Sequence, residues 1–133
     1  MAVLDARASG LPAWRVALSD AQTGNGASTN VADRGPSHKG GLCVITTTVG
    51  ATPTCTYALE VSVDGTTFTA ATYADIGTPN TDLSTTFALT TATVVQKIIK
   101  APTTWRFFRI TYSANTNVTN TAVLQFSDAR RLW

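Results

Sequence analysis

The chain has 133 residues, of which 44% are hydrophobic and 14% are charged, and its formal net charge is +2. A chain of this length can bury roughly two-thirds of its unfolded surface around a single hydrophobic core. The hydrophobic content excludes a disordered chain, and the low charge argues against the strongly basic surface that is typical of nucleic-acid-binding proteins. We therefore expect one folded domain with no nucleic-acid partner.

Membrane, disulfide and metal signals are weak. No segment approaches the roughly 18 to 20 consecutive apolar residues that span a bilayer, and Asp5 and Arg7 interrupt the apolar centre that a signal peptide needs. We expect no membrane contact and a chain that stays in the compartment where it is made. Cys43 and Cys55 are too few for a disulfide scaffold or a zinc site, and His38 is the only histidine. The sequence predicts two free, buried thiols and neither metal nor cofactor.

The composition favours strands over helices. Threonine crowds the segments "ITTTVGATPTCT", "DGTTFTAAT" and "TTFALTTAT", and β-branched side chains fit the pleated surface of a sheet. Residues 1–12 show no clear period and end in Gly10 and Pro12. We predict an N-terminal arm over 1–12 and a single β-sandwich domain over 13–133 that ends in a short C-terminal tail.

In the first half of the chain, apolar side chains alternate as in half-buried strands. "WRVALSD" predicts a strand with Trp14, Val16 and Leu18 inward, and "STNVADR" predicts a second strand, with "AQTGNGA" and "GPSHKGG" as loops. "LCVITTTV" and "CTYALEVSV" predict two strands separated by a break at "GATPT". Their inward positions are Cys43, Ile45, Thr47, Val49, Cys55, Tyr57, Leu59, Val61 and Val63. Asp64 and Gly65 suit a type I′ turn, so "SVDGTTFT" predicts a tight hairpin.

In the second half, "YADIGTPNTDLS" predicts a connection. "TTFAL", "TVVQKIIKA", "TWRFFRITYS" and "TAVLQFSD" predict further strands, the last two joined by the loop "ANTNVTN". The total of about eight or nine short strands indicates an all-β fold. We predict a two-sheet antiparallel sandwich, specifically a jelly roll of about eight strands.

Residues with acid or base chemistry are scattered along the chain. Glu60 takes an outward strand position and Asp64 a turn, while the other aspartates considered fall at strand ends or in loops. Those aspartates are Asp20, Asp33, Asp75, Asp82 and Asp128. No GxSxG motif accompanies His38, and the glycine-rich "TGNGAST" lacks the lysine and the helix of a phosphate-binding loop. We predict no enzymatic activity.

The segment Thr104–Ser113 mixes arginines with aromatic residues, as a nucleic-acid-binding surface would. Strand parity places Phe108, Ile110 and Tyr112 on the core face, together with Arg106. The outward positions are Trp105, Phe107, Arg109 and Thr111. Arg109 could stack on the outward aromatic rings or pair with a carboxylate. An RNA-recognition strand would carry glycine and small residues between its aromatics, so we favour a packed strand with a protein-contact edge.

The order of several segments resembles the small capsid cement, or decoration, proteins of tailed bacteriophages. The resemblance covers about residues 16 to 128 and is carried by "LSDAQ", "STNVADRG", a Thr-rich aliphatic strand pair, "LEVSVDGTTF", "WRFFRITY" and "TAVLQFSD". The chain departs from the family pattern in its longer arm, in Arg34 where an aliphatic residue is common, and in the tail "ARRLW".

The resemblance implies a jelly roll without enzymatic activity or cofactor, which associates with itself as a dimer or trimer. Such a protein binds the outer surface of the major capsid protein lattice, bridges capsomers and stabilises the expanded capsid. The chain would then be assembled in the bacterial host cytoplasm and end on the outer surface of the virion.

Candidate contact residues come from the outward strand positions and from the tail. They are Trp105, Phe107, Arg109, Arg130, Arg131 and Trp133. Tryptophan and arginine are enriched among interface hot spots, although Trp133 could equally fold back over a sheet. The alternative function is a carbohydrate- or receptor-binding module of a phage tail or fibre, with Trp105 as the stacking platform for a sugar.

Overall fold

The computed structural model describes residues 2–5, 13–34, 38–75, 77, 86–100 and 105–128. The described residues form ten strands, which are, in chain order, β1 (Ala2–Asp5), β2 (Ala13–Gln22), β3 (Gly26–Ala27), β4 (Asn30–Asp33), β5 (His38–Ser62), β6 (Thr69–Ala70), β7 (Thr72–Asp75), β8 (Thr86–Leu89), β9 (Thr93–Lys100) and β10 (Phe107–Asp128). In this part of the chain, no helix is long and apolar enough to cross a membrane.

Two long strands organise the molecule. β5 and β10 pair antiparallel along most of their length, and the register between them shifts between Ser113 and Val118. Near this shift Thr52, Ala114 and Asn117 have positive φ angles of 46°, 50° and 54°. Positive φ and an interrupted ladder both redirect an extended chain. The two-stranded ribbon bends here, so that each long strand contributes to two layers.

The two layers have the strand order of a jelly roll. Sheet I contains β2, residues 118–128 of β10, residues 38–49 of β5, β9 and β7 in that order. Sheet II contains β4, residues 107–113 of β10, residues 54–62 of β5, and β8, with β3 and β6 as short additions. The chain passes between the sheets as a jelly roll does, which confirms the predicted all-β sandwich.

The core lies between the sheets and contains most of the predicted inward side chains. Val16, Cys43, Ile45, Thr47, Cys55, Tyr57, Leu59, Val61, Phe108, Ile110 and Tyr112 are all buried. Two of the predicted inward valines differ: Val49 is 37% exposed and Val63 is 58% exposed. Val49 lies where the ribbon bends, and Val63 follows the last residue of β5, so strand alternation no longer holds at either position.

Buried polar groups connect the two sheets. The Tyr57 hydroxyl donates to Asn120 Oδ1 at 2.6 Å, and the Tyr112 hydroxyl donates to Ser19 Oγ at 2.8 Å. Burial raises the pKa of both tyrosines, so both hydroxyls remain protonated donors. Since a buried polar group is costly when it has no partner, these bonds fix how one sheet lies over the other.

The two cysteines are free and buried, as predicted. Burial raises the pKa of the Cys43 thiol to about 12 and also raises that of Cys55, which keeps both as neutral thiols. Asn120 Nδ2 lies 3.7 Å from Cys55 Sγ, so Cys55 also belongs to the polar link between the sheets.

The chain reverses after β5, but not through the predicted two-residue turn. Gly65 has a φ of 81°, whereas Asp64 is not among the residues with positive φ that a type I′ turn requires at both central positions. Asp64 instead accepts hydrogen bonds from the backbone of Thr66 and Thr67 at 2.9 Å each, and Ser62 Oγ donates to it at 2.8 Å. The reversal is a wider loop held by the Asp64 carboxylate.

Several segments predicted as loops, as a connection or as the arm form strands instead, among them Gly26–Ala27 and the predicted loop "ANTNVTN" within β10. His38–Gly41, predicted within a loop, begins β5, and Tyr73–Asp75, predicted within a connection, belongs to β7 and pairs with β9. In the predicted arm, Ala2–Asp5 forms β1 and runs parallel to β4. Residues 6–12 lie outside the described part.

Candidate interaction surfaces

Trp105 lies just before β10, and its half-buried side chain packs against the core. Its carbonyl oxygen accepts a hydrogen bond from the guanidinium of buried Arg34, whose Cζ lies 4.9 Å from the centre of the Phe108 ring. This differs from the outward position that parity predicted, because β10 begins only at Phe107. Trp105 is therefore not an open stacking platform.

Arg109 lies on the outward side of sheet II, as parity predicted. Its Nε donates to Glu60 Oε1 at 2.7 Å, and the Thr111 hydroxyl donates to the same oxygen at 2.6 Å. The guanidinium lies 4.0 Å from the centre of the Phe68 ring. Arg109 therefore pairs with a carboxylate and stacks on an aromatic ring of its own chain.

A second arginine pairs at the start of β10. Arg106 was predicted on the core side, but its Nε and Nη2 donate to the two carboxylate oxygens of Asp33 at 2.7 Å and 2.9 Å. Arg106 Cζ also lies 5.3 Å from the ring centre of Phe107. A Cβ atom on Gly65 would lie 3.5 Å from atoms of the same ring. Arg106 leaves the core because it precedes the first strand residue and meets a carboxylate of β4.

These residues form what we call the ion-paired face, on the outward side of sheet II. It consists of Asp33, Glu60, Phe68, Arg106, Phe107, Arg109 and Thr111. Because both of its arginines bind carboxylates of the same chain, this face offers phosphates little uncompensated positive charge. The remaining predicted contacts, Arg130, Arg131 and Trp133, lie outside the described residues.

The outward side of the three central strands of sheet I has a different character, and we call the residues named below the uncharged face. It consists of Leu42, Val44, Thr46 and Thr48 of β5, Val94, Gln96 and Ile98 of β9, and Thr119, Thr121, Val123 and Gln125 of β10. Each is exposed or half-buried, and Val94 is 58% exposed. None carries a charge, while Arg15 lies beside the face on β2.

The uncharged face was not predicted from the sequence, although the strand patterns contain a signal for it. The positions that alternate with the core residues of "LCVITTTV" and "TVVQKIIKA" are aliphatic, amide or hydroxyl side chains up to Ile98, and Lys100 at the end of β9 is the first charged one. Charged residues normally occupy the solvent side of such strands. Uncharged side chains at such positions on three neighbouring strands are typical of a surface that contacts another protein.

The titratable side chains near the sandwich edge are also paired within the chain. Lys97 donates a hydrogen bond to Asp75, and its ammonium lies 4.8 Å and 5.1 Å from the ring centres of Phe87 and Tyr73. Among the described residues, no group of three or more histidine, cysteine or acidic side chains could hold a metal ion. Asp33, Glu60 and Asp75 thus each bind a cationic side chain, and Asp64 holds a loop.

No family model matches the sequence, and no curated protein matches it significantly. Among solved structures, the chain is similar to the SPBc2 prophage-derived protein YomS, with 9% identity and a TM-score of 0.61 over 86% of this chain and 93% of that one. A Yersinia pseudotuberculosis-derived mitogen matches at 10% identity over 91% of this chain and 87% of that one, but its TM-score of 0.30 supports no inference. The similarity to YomS establishes a shared fold.

Proposed function

We propose that this protein is a non-enzymatic structural component of a phage virion that binds the outer surface of the major capsid protein lattice. In this role it bridges neighbouring capsomers and stabilises the expanded capsid. The observation that carries the proposal is the uncharged face, where eleven neighbouring outward side chains on the three central strands of sheet I carry no charge.

The chemistry of this face suits protein docking. Interface cores are depleted of charged residues, because a buried charge without a partner loses its hydration. Val44, Val94 and Val123 offer apolar area, while the threonine and glutamine side chains between them can form hydrogen bonds and lose less hydration energy on burial than charged side chains would. The face can therefore meet another protein without first breaking internal ion pairs.

Two further points support a place on a phage particle. The segments that resemble cement proteins lie in the part of the chain that folds as a jelly roll, and YomS, which shares the fold, is a prophage-derived protein. A dimer or trimer would multiply weak contacts, since a second subunit binds at a high effective concentration once the first is attached. The proposed assembly therefore needs no single strong contact.

The test uses expanded capsids produced without this protein from the genome that encodes it. Purified protein is added in increasing amounts, and capsid-bound protein is separated by sedimentation. We expect binding that saturates at a fixed number of copies per capsid, together with a higher temperature of capsid disruption. Absence of binding to these capsids would contradict the proposal.

The alternative sugar-binding function based on Trp105 is less well supported by the structure. A stacking platform needs an exposed aromatic ring, whereas Trp105 is half-buried and packs against the core. We therefore keep capsid binding as the proposed function.

A further inference from the structure

A cavity of about 360 Å³ opens at the end of the sandwich where the β5 and β10 ribbon bends. Its lining comes from the loop after β2, the bend in β5 and the bend in β10. The lining residues are Thr23, Gly24, Gly50, Asn115, Asn117, Val118 and Thr119. Its volume falls within the range of roughly 300 to 1,000 Å³ that is usual for small-molecule sites.

The chemistry of the lining is polar without being ionic. The Thr23 and Thr119 hydroxyls and the Asn117 side-chain oxygen form no hydrogen bond within the described part of the chain, so they can meet a ligand. Gly24 adds bare backbone that a ligand can approach, because no atom lies within 4 Å of where its Cβ would be, whereas Asn117 Cβ lies 3.2 Å from that position on Gly50. The cavity thus offers hydroxyl and amide groups beside small nonpolar surfaces.

Hydrogen bonds hold the cavity walls in place. Asn115 Nδ2 donates to the carbonyl oxygens of Gly24 and Val118 at 3.2 Å and 3.0 Å. The backbone N–H of Asn115 donates to Asn25 Oδ1 at 2.9 Å. Asn117 Nδ2 donates to the carbonyl of Ala51 at 2.6 Å. These bonds join all three wall segments, so a ligand would not need to order the walls.

We propose that this cavity binds a neutral saccharide. A sugar presents several hydroxyl groups and nonpolar C–H surfaces, which match the threonine hydroxyls, the asparagine amide and the glycine backbone of the walls. A phosphate or a carboxylate would lose its hydration without meeting a cation on the described walls, because none of the described lining residues is charged. A protein partner would more readily cover the flat uncharged face than enter this concave site. The inference does not rest on capsid binding.

The experiment is an NMR titration of the isotopically labelled full chain. N-acetylglucosamine, glucose and galactose are each added up to ~50 mM, since an open site with few contacts should bind in the millimolar range. We expect at least one of them to shift the backbone amide signals of Gly24, Asn117 and Thr119. Glucuronate at neutral pH should shift them several-fold less.

A double variant, Thr23→Val with Thr119→Val, removes both hydroxyls and keeps the side-chain shape. We expect sugar affinity to fall about ten-fold, as the loss of two hydrogen bonds predicts. The matched control is Thr48→Val, because Thr48 lies opposite Thr119 in the register and is exposed but does not line the cavity. This control should bind like the unmodified chain.

The fold of each variant is checked by the dispersion of its NMR spectrum. If the double variant does not fold, Asn117→Gly replaces it, because glycine accepts the positive φ of 54° at that position. The inference is overturned if none of the sugars shifts the cavity amides, or if the double variant binds sugar like the control.

Discussion

The two outward faces of the sandwich are built from the same two long strands, yet their outward side chains differ in charge. On the ion-paired face, Arg109 binds Glu60 and Arg106 binds Asp33, each at 2.7 Å. On the uncharged face, the strands present valine, leucine, isoleucine, threonine and glutamine to solvent. Polar groups of the first face already have partners in the chain, whereas the apolar side chains of the second do not.

The difference indicates which face is available for binding. An arginine that is already bound to a carboxylate must lose that partner before it can bind another group. This loss reduces the free energy that the new contact contributes to binding. Aliphatic side chains exposed on a sheet gain free energy when a partner removes them from water. The arginine and aromatic residues near the start of β10 therefore stabilise the fold. The outward threonine and aliphatic side chains of sheet I form the proposed contact surface.

A charge placed on the uncharged face should have the largest effect on binding. Val94→Lys introduces an ammonium at a position that is 58% exposed, so the fold should tolerate it. Burial of this charge against a partner should lower capsid affinity at least ~10-fold. The matched control is Ala88→Lys, at an exposed position opposite Thr56 in sheet II. Equal loss of capsid binding in both variants would remove the distinction between the faces.

The free energy of unfolding should depend on the ion-paired face more than on the uncharged face. Arg109→Ala removes the ion pair to Glu60, whose side chain is only 18% exposed, and should lower the free energy of unfolding by about 1–2 kcal/mol. Gln96→Ala, at an exposed position of the uncharged face, should change it by less than about 0.5 kcal/mol. Urea denaturation measures both. A larger loss in Gln96→Ala would mean that the ion-paired face does not stabilise the fold.

Acid should reveal the role of the Asp64 loop in the reversal after β5. Hydrogen bonds from the backbone N–H groups of Thr67 and Thr66, and from the Ser62 hydroxyl, hold the pKa of the Asp64 carboxyl well below its usual range. Since the folded pKa is lower than the unfolded value of about 3.9, the carboxylate contributes stability above that pH and loses it as the pH falls further.

The variant Asp64→Asn keeps a side-chain oxygen as acceptor but does not titrate. Its stability deficit relative to the unmodified chain should be largest near neutral pH and should shrink below about pH 4. Thermal unfolding at neutral and acidic pH measures this change. The assignment is wrong if the deficit stays the same at both pH values.

Salt should have the smallest effect on binding. Because the uncharged face carries no ions, capsid occupancy should change less than about three-fold between ~50 mM and ~500 mM salt. Binding through arginines to phosphates would instead lose orders of magnitude over such a range. A steep decrease with salt would therefore indicate that charged side chains carry the contact.

Much of the fold could be predicted from local patterns in the sequence. The alternation in "CTYALEVSV" identified the burial of Cys55, Tyr57, Leu59 and Val61, because a period of two has a direct meaning in a strand. The bend of the ribbon could not be predicted, since the positive φ of Thr52 depends on tertiary contacts. "GATPT" instead suggested a break between two separate strands.

The candidate surfaces were harder to predict because they depend on distant partners. Arg106 and Asp33 are 73 positions apart, and nothing near either residue indicates that they pair. Parity also does not extend beyond the end of a strand, which explains why Trp105 lies against the core. The uncharged face could have been found by examining the outward positions of β5 and β9 with the same care as the inward ones.

The central claim is that the uncharged face meets the capsid while the ion-paired face remains in solvent. A cryo-electron microscopy map of expanded capsids with bound protein tests this directly. We predict that Val44, Val94 and Val123 lie against the major capsid protein and that Glu60 and Arg109 face outward. A map in which the ion-paired face contacts the capsid, or in which added protein gives no density on the outer surface, would contradict the account.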